Sequence, residues 1–258
     1  MSDYVSLDVR TLDPSAFPRF RVIVADPPWW YNDQRKERKD GSGPTRGIGA
    51  CHHYDQMETP EICELKVGDL ADERCHLYLW ATAPLMMDAF QVMDAWGFKF
   101  STYAHVWAKM NTKAWMDRAL WERAMVEASG WVDRRFSVVC SVLDALTVKG
   151  PGFFTMSNAE FLLLGVRKKP GTKTTTRPFR HAQGRKVRQL IHWPRIEPHS
   201  RKPEIFQNAI QYMYPRVTPR VEVFARRARS GWTTIGNQEL FSPYEYRDPD
   251  KTELESYT

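Results

Sequence analysis

A single acidic side chain, Asp26, stands between a short β-branched run, Val22-Ile23-Val24-Ala25, and the stiff sequence Pro27-Pro28-Trp29, with Trp30 and Tyr31 behind it. The run has the length and branching of a buried strand, and two successive prolines fix φ and push the residue before them out of the helical region. The pattern predicts a carboxylate held at a strand end, beside rigid carbonyl acceptors that lack competing N–H donors. Such a group suits a flat, amine-bearing ring such as a nucleobase. Asp26 and the Pro27 carbonyl would each accept one hydrogen of an exocyclic amine, and Trp29 or Tyr31 would stack on the ring. An acidic turn that merely closes a strand, with the tryptophans in the core, gives the same local pattern. The literal tetrapeptide favours a site, because independent residues at average usage would place it in roughly one chain in a few thousand of this length.

The elements that must hold this carboxylate read as a repeating strand–helix order. His76 to Trp80 is a second buried strand, and Leu85 to Trp96 follows as an amphipathic helix stopped by Gly97. Phe100 to Lys109 alternates as a third strand, Phe161 to Gly165 is another buried one, and Arg220 to Arg226 closes the series. Thr59-Pro60-Glu61 opens a helix, with Thr59 as the candidate N-cap and Pro60 at its first position. A second helix begins at Arg201-Lys202-Pro203-Glu204 and runs to about Tyr214. This alternation predicts an α/β protein with a mostly parallel sheet. Asp8-Val9-Arg10 is too short to assign by itself.

Two segments interrupt the alternation. Asn32 to His53 is charged and glycine-rich and reads as a long loop beside the carboxylate, of a length usual for a lid. Its glycines follow the strand at too great a distance, with no helix opening after them, to form a dinucleotide fingerprint. From Ala114 to Val148, Trp115, Leu120, Trp121, Met125 and Ala128 recur at helical spacing, and Phe136 to Leu146 is a second apolar stretch. Together they predict two helices whose Trp/Met stripe serves a core or a subunit interface.

At 258 residues the chain fits one α/β domain or two small ones. The formal net charge is +6 and the isoelectric point about 9.1, an excess that suits an anionic partner. Arg167 to Arg195 contains ten Lys and Arg residues and no acid. A charge run of this kind is either a solvated surface or, with its glycine, proline, threonine and aromatic residues, a flexible arm meeting phosphates. Lys168, Lys169, Lys173, Arg177 and Arg180 are its candidate contacts. No apolar stretch approaches the length of a membrane span and no signal-peptide layout opens the chain, so a soluble, non-secreted protein is expected. The four cysteines, Cys51, Cys63, Cys75 and Cys140, form no CxxC pair and fit a reducing compartment. Their spacing is not that of a zinc ribbon or finger, so no metal is expected.

With Asp26-Pro27-Pro28-Trp29 placed at a strand end, the sequence resembles the adenine-N6 methyltransferases typified by the 70 kDa catalytic subunit of the messenger-RNA adenosine methyltransferase. The likeness continues in order through Asp8-Val9-Arg10-Thr11-Leu12-Asp13, Tyr54-x-x-Met57, Leu77 to Thr82 and Val106-Trp107-Ala108-Lys109. It resumes at Asn158-Ala159-Glu160, His199 to Glu204, Val221 to Arg226 and Gly236-Asn237-Gln238. It implies a Rossmann-like fold dependent on S-adenosylmethionine, in which the catalytic motif precedes the cofactor strand. The corresponding division is one domain over residues 1–242, with a gate loop at about 31–56, a helical insertion at about 111–150 and a basic loop at about 165–195. A polar tail follows at 243–258.

The resemblance also implies roles. Asp8 and Val9 would meet the adenine end of the cofactor, and Lys202 its methionine carboxylate. Glu222, Phe224, Arg226, Asn237 and Gln238 would hold the ribose and neighbouring groups. Asp26 and Pro27 would hold the target amine, with Pro28 and Trp29 completing the catalytic motif, Asp26 also bordering the cofactor, Trp30 and Tyr31 beside the base and Tyr54 closing over it. Position 228 is Ala, where some members carry a polar cofactor contact. The chain is most similar to the short bacterial and phage members, which implies DNA as substrate, a homodimer, and a cytoplasmic, nucleoid-associated protein. RNA methylation is the alternative within the same chemistry, and an inactive nucleic-acid-binding partner subunit the alternative outside it.

Overall fold

The computed structural model describes residues 3–31, 56–128, 140, 142–148, 155, 157–182, 185–196 and 201–237. The tail expected at 243–258, Gln238, Tyr54 and most of the 31–56 segment lie outside the described residues, as do Cys51 and its two neighbouring histidines.

The apolar runs assemble into one eight-stranded sheet. In chain order its strands are β1 (Asp3–Ser6), β2 (Phe20–Ala25), β3 (Ala71–Ala81), β4 (Phe98–Met110), β5 (Ala159–Arg167), β6 (Leu190–Pro194), β7 (Arg220–Val223) and β8 (Thr233–Gly236). Their spatial order is β1-β8-β7-β2-β3-β5-β4-β6. Five neighbouring pairs are parallel, and β5 alone runs antiparallel to both of its neighbours, β3 and β4. The mostly parallel sheet expected from the alternation is therefore a mixed one. β5 follows the 111–150 insertion, which returns the chain to the sheet at the same end where β4 leaves it: Val148 N–H donates to the Lys109 carbonyl, and Thr147 bridges Met110.

Helices cover both faces. On one, α1 (Thr59–Glu64) and α2 (Met86–Ala95) bury Ile62, Ala89, Val92 and Met93 against Ile23, Ala25, Leu77 and Leu79. On the other, α5 (Glu204–Met213) buries Ile205, Phe206 and Ile210 against Val22, Val24, Tyr78 and Trp80. Alternate residues of β2 and β3 thus feed two different cores, which is why these strands are apolar without interruption. Phe206 stands edge-on to Trp80, with centroids 5.0 Å apart and planes at 90°. A large buried apolar side chain of this kind contributes about 1.5–3 kcal/mol from desolvation.

Several local readings change. Ser6 pairs with Gly236, so a first strand precedes Asp8, and Asp8 caps a 3₁₀ turn by accepting from Arg10 N–H at 3.0 Å. The α1 N-cap is Glu58, whose N–H donates to the Glu61 carboxylate at 2.8 Å; Thr59 donates instead to Asp88 at 2.7 Å, tying α1 to α2. Gly97 does stop α2, at φ +80°. The insertion contributes α3 (Thr112–Trp115), α4 (Arg118–Ala128) and further helical residues at 142–146. Met116, Trp121 and Met125 are exposed, so that part of the Trp/Met stripe is not core of this chain. No described helix is long and apolar enough to cross a membrane.

Candidate active site

On one side of β2 the chain crosses to β3 through α1, while β7 on its other side is reached from β6 through α5, which packs on the opposite face. The carboxyl end of such a strand opens into a crevice because neighbouring connections diverge there. Asp26 is the first residue past that end. Around the same edge lie Asp8 after β1, Phe224 after β7, Asn237 after β8, and Trp80 and Ala81 at the end of β3. Because β5 is reversed, its first residues contribute too, bringing Glu160 beside Lys109 from the end of β4.

The crevice is lined by Asp26, Trp80, Lys202, Glu222, Phe224 and Arg226, among others. Lys202 Nζ lies 2.8 Å from Asp26 Oδ2 and 3.3 Å from Glu160 Oε2, and 5.5 Å above the Trp80 ring. Lys109 Nζ meets the other oxygen of Glu160 at 2.5 Å. These contacts join four charges of alternating sign, all on side chains that are at most about a quarter exposed. Burial raises the Asp26 carboxyl above the ordinary carboxylate range, opposed by Lys202. Burial works the same way on Glu160, but the Lys202 and Lys109 ammoniums outweigh it and hold that carboxyl low. Glu222 is pushed up to about 7 by burial, against a hydrogen bond from Gln207, with the nearby Asp26 adding to the rise.

The backbone is shaped for this crevice. β7 ends at Val223 rather than at Arg226, because Phe224 takes a left-handed φ of 65° and turns the chain over the carboxyl edge. Ala225 then donates to the Ile235 carbonyl at 2.9 Å. A side chain at position 236 would place its Cβ 2.0 Å from the Ala225 carbonyl oxygen, so the β7 and β8 exits approach this closely only with Gly236. Behind the turn, Glu204 pairs with Arg227 at 3.1 Å, with Arg201 at 3.7 Å and with the buried Arg229, whose guanidinium also reaches Gln207 at 2.7 Å and Asn208 at 3.0 Å. Ala228 is buried beside this network and supplies no polar contact.

Two details differ from the reading of the proline motif. Trp29 is 5% exposed, and its indole N–H donates to the Trp80 carbonyl at 3.0 Å, so it braces β2 against β3 and is not a stacking face. The Pro27 carbonyl accepts from Trp29 N–H at 2.8 Å and the Pro28 carbonyl from Met57 N–H at 2.8 Å, so competing donors are present. A carbonyl oxygen has a second lone pair, which leaves Pro27 able to accept once more. Trp30, four residues past Asp26 in the chain, is 45% exposed, and Tyr31 is tied to Thr82 at 3.1 Å.

The arm cations do not join the site. Val166 of β5 pairs with His76 and Arg167 with Phe98, which places Arg167 at the amino edge of β3 and β4, roughly 23 Å from Glu160 at about 3.3 Å per residue. Lys168 pairs there with Asp94 at 2.6 Å, and Lys169, Lys173, Arg177 and Arg180 are exposed. The arm is also not a free loop. Phe179 N–H donates to His76 Nε2 at 3.1 Å, Arg74 Nε donates to the Arg177 carbonyl at 3.2 Å, and the guanidiniums of Arg21 and Arg74 lie 4.6 and 5.0 Å from the Phe179 ring. The chain then returns as β6, inside the span expected to be loop. Among the described residues no group of three or more His, Cys, Asp or Glu side chains is placed to hold a metal ion.

Sequence reasoning assigned no role to Glu160, Lys109, Glu204, Gln207, Arg227 or Arg229. Glu160 and Lys109 had two signals: each is a charge at the end of a strand, and each stands in a segment that carries the family resemblance.

A mixed sheet covered on both faces, with a crevice at its carboxyl edge that Asp26 enters from the end of β2, is a Rossmann-like α/β fold. The chain belongs to the MT-A70 family, whose model matches residues 20–129 and 142–238. It is 28% identical over 226 residues to the type II methyltransferase M.MunI of Mycoplasma sp, covering 84% of this chain and 77% of that protein. It is 21% identical over 239 residues to a probable N(6)-adenosine-methyltransferase MT-A70-like protein of Oryza sativa subsp. japonica, and 20% identical over 239 residues to an N(6)-adenosine-methyltransferase MT-A70-like protein of Arabidopsis thaliana. Each plant match covers 92% of this chain, which spans about a quarter of those longer proteins.

Proposed function

We propose that the protein transfers a methyl group from S-adenosylmethionine to the exocyclic N6 amine of adenine in DNA, and that it works as a homodimer. The observation that carries the reading is the placement of Asp26 at the carboxyl edge of the sheet, where connections on opposite faces diverge, paired with Lys202. Similarity to a type II methyltransferase over most of both chains supports DNA as the substrate. The exposed Trp121, Met125 and Val126 of α4 support self-association.

The crevice residues fit a ligand with an amino-acid end and a nucleoside end. Lys202 and Arg226 would meet a carboxylate, Glu222 and Asn237 ribose hydroxyls, and Val9, Asp8 and Phe224 the edge and face of a ring, with Gln238 continuing the set. When bound, S-adenosylmethionine supplies the electrophilic methyl. On the chain's side, Asp26 and the remaining lone pair of the Pro27 carbonyl accept the two amine hydrogens. This draws the nitrogen lone pair out of conjugation with the ring and opposes the positive charge that develops on nitrogen. Lys202 holds Asp26 in its accepting form against the cost of burial. A base in duplex DNA must leave the stack to reach Asp26, and the exposed Trp30 would offer it a new stacking face, with Tyr31 and Tyr54 the further residues that the resemblance assigns to the base.

The test is methylation of duplex DNA, single-stranded DNA and RNA in parallel, with nucleosides resolved by mass spectrometry and Asp26→Ala as control. N6-methyladenine in DNA that disappears in the variant is the expected result. Product on RNA alone would move the reading to RNA, and an active Asp26→Ala would remove Asp26 from the chemistry.

A further inference from the structure

Glu160 is a buried charge at the site for which the methyl-transfer reading has no task. It is the second residue of β5, opposite Trp107 of β4, and touches two ammoniums: Lys109 Nζ at 2.5 Å on one oxygen and Lys202 Nζ at 3.3 Å on the other. Lys109 and Glu160 belong to adjacent strands of the sheet and have little freedom to move. Lys202 comes from the segment before α5 and reaches Asp26 on a flexible four-carbon stem. A group on a rigid element that fixes a flexible one at 2.8 Å from the reacting carboxylate has the geometry of a supporting contact.

We propose that Glu160, backed by Lys109, is a positioning residue that holds the Lys202 ammonium against Asp26. The proposal rests on Asp26 being the group that receives the amine hydrogen. The competing possibility is that Glu160 only neutralises two buried cations, and the two give opposite signs at Asp26. The charged groups facing Asp26 are Lys202 before α5, Glu160 on β5, Arg226 after β7 and Glu222 on β7. If Glu160 acts only through its charge, removing it relieves a repulsion and Asp26 becomes more acidic. If it positions Lys202, its loss lets the ammonium swing away, and Asp26 becomes less acidic because a close cation is worth about one to three pH units.

The experiment follows the titration of the Asp26 carboxyl carbon in the full-length protein labelled with carbon-13 aspartate, with Asp26→Asn to assign the signal. Two variants spare the fold: Glu160→Asp keeps the charge and retracts it by one methylene, and Lys109→Met with Glu160→Gln removes one charge of each sign. The Asp26 midpoint is expected to rise by about one unit or more in both. In a Lys202→Met background the same Glu160→Gln change is expected to lower it, since only the through-space repulsion is left. A lowered or unmoved midpoint in the first two variants overturns the proposal. Methylation assays on the same proteins separate the two readings. A wild type that makes no N6-methyladenine while the midpoints move as expected would refute the proposed activity and leave the positioning intact. An active wild type whose kcat is unchanged by Glu160→Asp would refute the catalytic value of the positioning.

Discussion

At the carboxyl edge of the sheet, Lys109, Glu160, Lys202 and Asp26 are joined by contacts of 2.5 to 3.3 Å and largely withdrawn from water. At the amino edge the 167–182 arm carries a similar density of charge in solvent, where its Phe179 takes the guanidiniums of Arg21 and Arg74 and its Lys168 meets a single acid, Asp94. The first arrangement sets the ionisation of a reacting group, and the second binds a segment to the fold. Charge density along the sequence does not distinguish them. What does is the direction of β5, which carries Glu160 into the site and Arg167 away from it.

The comparison can be broken most severely at Asp26. Asp26→Ala should lower kcat by about a hundredfold to a thousandfold or more, the range seen when one preorganised transition-state contact is lost, and single-turnover methylation measures it. Glu204→Ala should be the most damaging change to stability at the same edge, because it removes the carboxylate that Arg201, Arg227 and the buried Arg229 share. A loss of about 3–5 kcal/mol is expected in urea unfolding.

A sharper contrast lies in pH. Glu222 has its folded pKa raised to about 7 from an ordinary 4.5, so its contribution to stability is full below about pH 4.5 and is lost as pH rises through 7. Glu222→Gln should match the wild type near pH 4.5 and exceed it by on the order of 1–3 kcal/mol at pH 8 in the ligand-free protein, as followed by thermal melts. Equal stability of the two proteins at pH 8 would rule out a protonated Glu222 in the fold.

At the amino edge the effects should be smaller. Phe179→Ala removes two cation–π contacts and the packing on His76, and should cost about 1–2 kcal/mol of stability with kcat unchanged. Replacing Lys173 and Arg177 together by Ala should change kcat/KM by less than about twofold at moderate salt, since neither reaches the crevice. A loss of tenfold or more, with a reduced salt slope, would show that the substrate extends to the far edge of the sheet.

Much of the fold could be read from periodicity. The runs at 22–25, 76–80 and 161–165 became β2, β3 and β5 because uninterrupted apolar residues can only be buried on both faces, and 100–109 became β4 on the strength of its alternation. α2 and α5 follow from one-sided apolar patterns. β1 and β6 were not legible: each is a short edge strand whose side chains are partly exposed, so neither a run nor an alternation marks it. The antiparallel direction of β5 was equally hidden, because a buried strand reads the same in either orientation.

For the site, the sequence by itself determined the acid and its setting: prolines at 27 and 28 and branched residues before them leave Asp26 no place but a strand end. It also contained the ordered motifs that assign the family. Tertiary structure decided the rest. It withdrew Trp29 into the β2–β3 seam, turned Phe224 through a positive φ, and moved the arm cations to the far edge. It also set Glu160 between two lysines that lie 51 and 42 positions away along the chain. Local sequence fixes which backbone shapes a residue can take, while a charge acquires its partner and its pKa only from the strands that pack beside it.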